Sequence, residues 1–166
     1  GGGGGRAGGA GVWGARPPRR RNQGSGTRAA AWAAWMALEE RLAGVMPPPG
    51  RSGRRQHVHL TWLAVRTVGT DAAVPLVSTG IQETARYAGA PQKYHATMSR
   101  AWVELVGHHA GTDPADDFDR FAEGNPELLD KRLLTRFYTS TALASDAARA
   151  GWVDPDREPF PWMVAA

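Results

Sequence analysis

Five histidines, His57, His59, His95, His108 and His109, are the side chains of this 166-residue chain best suited to proton transfer near neutral pH, and no cysteine accompanies them. Without a thiol there is no cysteine nucleophile, no thiolate zinc site and no disulfide framework, so any metal would need histidine and carboxylate ligands. The densest set of reactive groups is Lys93-Tyr94-His95-Ala96-Thr97-Met98-Ser99-Arg100-Ala101-Trp102. A neutral His95 beside Tyr94 and Thr97 could accept a proton from a substrate, with Lys93 supplying a positive charge.

The element that must position these groups is a helix. Pro91 suits a helix start, having no N–H to lose in the first turn, and the pattern runs on to Gly107 or Gly111. At about 100° per residue, His95, Met98, Ser99, Trp102, Leu105, Val106 and His109 form one mostly apolar stripe that should face a core. Arg100 and Glu104 stand four apart on a solvated face. His95 then lies near a helix N-terminus, whose dipole and unpaired N–H groups disfavour an imidazolium. The alternative is that His95 is a hydrogen-bonded core residue closing the helix end.

A second helix is predicted from His57 to about Gly69. It places His57 on a face with Leu60, Thr61 and Ala64, and His59 on another with Trp62, Leu63 and Arg66. The two imidazoles diverge by about 200° and cannot share a metal ion there, although on a strand they could. His109 shares the stripe of His95 but lies roughly 21 Å further along the helix axis, so His108-His109 reads as a helix C-terminus. Asp116, Asp117 and Asp119 read as first-turn carboxylates complementing a helix dipole, since the glycine and terminal glutamate of a calcium loop are missing.

Composition bounds the rest. With 42% hydrophobic residues the chain can form one domain, or about 110 folded residues plus a tail. The net charge of +4 is unevenly divided: residues 1–56 carry ten arginines against Glu39 and Glu40, or +8, and residues 57–166 carry −4. The domain itself is acidic, which disfavours nucleic acid as its partner. No run approaches the roughly 18 apolar residues that span a bilayer, so no membrane partner is expected and a cytoplasmic location is. No serine elbow, phosphate loop or dinucleotide fingerprint is present.

Residues 1–54 are Gly-, Arg-, Ala- and Pro-rich and are expected to be a low-complexity leader, disordered or translated out of frame. Arg19-Arg20-Arg21 within it could serve as an arm for nucleic acid or anionic lipid. A helix over residues 28–45, with Thr27 as N-cap and Pro47-Pro48-Pro49-Gly50 as its stop, packs on nothing if the leader is spurious. Residues 55–166 form the helical domain. Its further elements are an Asp71-capped helix to Gly89, a short acidic helix from Ala115 to Glu123, and one opened by Asn125-Pro126. That last helix turns Leu128, Leu129, Leu133, Leu134 and Phe137 inward and leaves Lys131, Arg132 and Arg136 as a cationic edge. A Ser145-capped helix, Asp146 to Ala150, precedes a proline-rich tail lying across the domain through Trp152, Phe160 and Trp162. The expected fold is all-α: a compact orthogonal bundle of five to six helices with a disordered N-terminal segment.

His57-Val58 with Trp62, Lys93-Tyr94-His95 with Thr97 and Trp102, Asp130-Lys131 with Leu133-Leu134 and Tyr138, and Ala147-Arg149 with Trp152-Val153 and Pro155-Asp156 together resemble a family of uncharacterised small bacterial helical proteins, over about residues 54–162. The family opens its first site with H-x-x-H. Arg54 stands where the leading histidine would be, which either removes a ligand or marks a change of frame just before His57. The resemblance implies no activity. It does imply that His57 and His95 converge on one pocket floored by Trp62 and Trp102. On that footing His95 would be a general base, His57 an acid or second ligand, Tyr94 and Thr97 orienting groups, and Lys93 or Arg136 the anchor of a small anionic molecule. No metal site and no cofactor is assigned. The competing expectation is a non-catalytic helical module in which the same residues form a polar network.

Overall fold

In the computed structural model, residues 23–43 and 53–164 are described, with side chains from Arg28 onward in the first stretch. The expected leader up to residue 22, the cap at Thr27 and the proline stop at 47–50 lie outside the described side chains. All regular structure among the described residues is helical: α1 (Gln23–Ala43), α2 (Gly53–Val68), α3 (Thr70–Tyr87), α4 (Ala96–Thr112), α5 (Phe118–Gly124), α6 (Ser140–Ala144) and α7 (Asp146–Ala150), with short 3-10 turns between and after them. The chain is an all-helical bundle with about five major helices.

Helix α4 is the central element. It packs on α2, α3 and α7, and Ala101, Val103, Leu105 and Val106 are almost wholly buried. Burial therefore extends well beyond the single stripe expected from its periodicity, because neighbours enclose the helix on several sides. Its start also differs from expectation. Pro91–Lys93 make one 3-10 turn, Tyr94 and His95 are extended, and the α-helix opens at Ala96 with His95 as its N-cap. A side chain that accepts from the first turn fixes the start more firmly than a proline upstream.

Two glycines shape the path into α4. Gly69, at φ 87°, makes the one-residue corner between α2 and α3, a conformation costly for any residue with a Cβ. It takes the N-cap position expected of Asp71. Gly89, at φ 75°, ends α3: its N–H donates to Arg86 O, and that of Ala90 to Ala85 O at 2.9 Å.

Helix α1 departs most from expectation. Trp35, Leu38 and Leu42 belong to the same buried cluster as Leu76, Val77 and Trp102, each contributing about 1.5–3 kcal/mol by burial. A Cβ on Gly80 of α3 would come within 2.1 Å of the Trp35 indole, so the glycine is what admits the ring. Arg28 adds an ion pair to Glu83 at 2.5 Å. The expected boundary at 54 cuts through α2 and leaves out a helix that supplies core. The folded body includes α1.

The single helix expected from Asn125 to Phe137 is two 3-10 turns, Pro126–Leu129 and Lys131–Arg136, separated at Asp130. The Asp130 carboxylate accepts from Arg132 N at 2.9 Å and so restarts the chain instead of letting it continue. Leu128, Leu133, Leu134 and Phe137 are nonetheless buried. Ser145 caps α7 by accepting from Ala148 N, while α6, which Thr139 caps in the same way, is an addition. Phe160 is fully buried in the tail, stacked on Trp162 at 4.8 Å and against Phe137 at 4.4 Å.

Candidate functional site

A cavity of about 260 Å³ lies where α2, α3 and the start of α4 meet, lined by Arg54, His57, Ile81, Lys93, His95, Met98, Ser99 and Trp102. Helical phase sets the α2 contribution. Arg54 and His57 are three residues apart and share one face. Trp102 follows Met98 and Ser99 by one turn of α4 and closes the inner end. Lys93 is exposed and stands at the mouth.

The two histidines meet in this cavity in different states. The Nδ1 of His95 accepts the N–H of Met98 at 3.1 Å, so the neutral ring carries its proton on Nε2, which donates to Leu143 O at 2.7 Å. Both nitrogens are committed, one to capping α4 and the other to holding α6 against it. His57 has neither kind of bond among the described residues. Burial, reinforced by the neighbouring Arg54 charge, lowers its pKa from 6.5 to about 4, so the ring is uncharged at neutral pH. Arg54 lies over the Trp102 ring at 3.8 Å, and burial brings its pKa down to about 10. Among the described residues no carboxylate lines the cavity.

The other expected residues lie elsewhere. Trp62 does not floor this cavity. Five residues from His57 is about 140° around a helix, and the indole packs instead against Phe118 and Phe121 at 5.7 and 5.9 Å. It lines a separate, larger groove with His59, which stacks on Phe118 at 4.1 Å. Thr97 is fully buried: its hydroxyl donates to Gly151 O at 2.6 Å and accepts from Val153 N at 3.1 Å, tying α4 to the chain after α7. Tyr94 is half-buried in the extended link and is not among the lining residues. Arg136 lies over Phe137 at 5.1 Å and faces Glu158 at 3.6 Å, on the C-terminal segment.

Of the expected set, then, His57, His95, Lys93 and Trp102 line one cavity, and Tyr94, Thr97, Trp62 and Arg136 do not. Arg54 is the lining residue that the sequence reading passed over as a departure from pattern. Its signal was its place three residues before His57. His109 is held by Asn125, whose Oδ1 lies 2.7 Å from Nδ1, and His108 packs against Trp162. Among the described residues no three His, Asp or Glu side chains are grouped so as to hold a metal ion, and no helix is long and apolar enough to cross a membrane. Comparison with known families, curated proteins and solved structures finds no match to this chain.

Proposed function

We propose that the chain binds a small anionic molecule in the cavity between α2, α3 and α4, with His57 as the group that exchanges a proton with it and His95 as a positioning residue. One observation carries this reading: Arg54 and Lys93 line the same cavity as an imidazole kept neutral by burial. A wall that carries two cationic side chains favours an anion, and a neutral imidazole is the form of histidine that can accept a proton. The base role expected of His95 passes to His57, because taking a proton at His95 Nδ1 would break the cap of α4. Turnover at His57 would make the protein an enzyme on such a molecule.

The test is the unfolding temperature of the full chain with a panel of small anions at fixed ionic strength. An anion that binds only the folded state raises stability by about 2.7 kcal/mol at a hundred times its Kd. Wild type should show this rise and Arg54→Gln should lose it. An equal response in both proteins would remove the cavity from consideration.

A second reading, a non-catalytic helical module, is favoured by the doubly bonded His95 and the buried Thr97 bridge. On that reading no anion responds to Arg54.

A further inference from the structure

We propose that the flank of α1 carried by Trp32 and Met36 docks against the same flank of a second copy of this chain, the two helices running antiparallel about a two-fold axis. Ala29 to Leu38 holds no charged residue on any side, and a helix that is apolar all round is usually covered all round. The core covers one side, through Trp35, Leu38 and Leu42. It leaves Met36 46% exposed and Tyr87, at the end of α3, 70% exposed.

Spacing puts the uncovered side chains in one line. Ala29, Trp32, Met36 and Glu39 follow one another at steps of three and four residues, the pattern along which two helices pack. Trp32 lies against Tyr87 at 5.9 Å between ring centroids, and the Arg86 guanidinium lies over Tyr87 at 5.1 Å, so α3 widens the seam with an aromatic ring and a cation. Trp, Tyr, Met and Arg are the residue types that protein interfaces favour.

Charge identifies the occupant. At the N-terminal end of the seam Arg28 and Arg86 share one carboxylate, Glu83, each at 2.5 Å, which leaves one positive charge in excess. At the other end Glu39 and Glu40 stand against Arg41, which leaves one negative charge in excess. A patch positive at one end and negative at the other complements itself once a two-fold axis turns it round. A single axis level with Ala34 sets Arg28 opposite Glu40 of the second copy and Trp32 opposite its Met36, a thioether on an indole. Residues 1–22, with five arginines and no carboxylate, match the acidic end alone. None of these seam residues lines the cavity between α2, α3 and α4, so the pairing stands apart from the anion reading.

Sedimentation equilibrium of the full chain, from a few micromolar to several hundred micromolar, tests the pairing. The weight-average mass should rise from 17.8 kDa toward twice that value and level off, with a Kd on the order of 10 to 100 µM, since a patch of this extent lies at the small end of specific interfaces. Met36→Lys, at an exposed position, should weaken association by at least about tenfold. Arg28→Glu and Glu40→Arg should each weaken it several-fold alone, because like charges then meet across the axis. An equimolar mixture of those two variants should regain wild-type association, each end again meeting its opposite, which a misfolded variant could not do. A chain that stays at 17.8 kDa throughout would overturn the proposal. So would a mass that climbs past the dimer without levelling, or a dimer indifferent to Met36→Lys and to the charge reversals.

Discussion

His57 and His95 line the same cavity from two helices, yet the His57 ring makes no hydrogen bond among the described residues and the His95 ring is built into the frame. The difference lies in their nitrogens. His95 exchanges its solvent hydrogen bonds for Met98 N–H and Leu143 O, whereas His57, partly exposed, gains no such partner among the described residues. Burial alone therefore says little about a histidine's role; what matters is whether its lone pair is spent.

The largest effect should come from removing the committed ring. His95→Ala loses an N-cap, usually about 0.5–2 kcal/mol, and leaves the Leu143 carbonyl unpaired, about 1–3 kcal/mol. Urea denaturation should show a loss of about 3 kcal/mol at neutral pH for His95→Ala, against less than about 1 kcal/mol for His57→Ala. Equal losses would erase the distinction between the two rings.

Acid should bring out the contribution of His57. The folded state holds His57 at about 4, below its ordinary 6.5, so the unfolded chain takes up a proton first as pH falls. The stabilising contribution of the neutral ring is whole above pH 6.5 and is lost as pH drops to 4, by at most about 3 kcal/mol. His57→Gln should flatten stability over that window. Some slope will remain, because burial and the Arg55 charge also lower the pKa of His59. A profile identical to wild type would show that His57 is not held neutral by the fold.

The same contrast separates what the sequence could disclose from what it could not. Periodicity placed α2, α3 and α4, and the helical wheel already set His57 and His59 on different faces. The same wheel put Trp62 with His59, which is where it packs, whereas the family resemblance set it on the floor of the His57 pocket. Arg54 was within reach too, three residues upstream on the His57 face. A His95 that closes the helix end was one of the two readings the sequence allowed, but its second partner, Leu143, 48 positions away, was beyond reach. So was the docking of α1. Alanine-rich composition shows helix propensity, but only the placement of Gly80 opposite Trp35 makes the helix part of the core.

Thr97 gives a control for a committed group that does not line the cavity. Thr97→Val preserves shape while leaving Gly151 O and Val153 N–H unpaired, at about 2 kcal/mol in chemical denaturation. Any anion affinity should survive this substitution, since the hydroxyl faces the chain after α7. A stable Thr97→Val protein that no longer responds to anions would instead place Thr97 in the binding machinery.

The smallest effect divides the two bonds of His95 from each other. Asparagine is among the best N-cap residues, so His95→Asn keeps an acceptor for the first turn of α4 but is too short to reach Leu143 O. It should cost about 1 kcal/mol, well below His95→Ala, and hydrogen exchange should quicken in α6 and not in the first turn of α4. If asparagine is as costly as alanine, the cap contributes little and the tie to Leu143 is what holds the ring. If asparagine is neutral and α6 stays protected, the Nε2 proton is free for other work, and His95 returns beside His57 as a candidate for proton transfer.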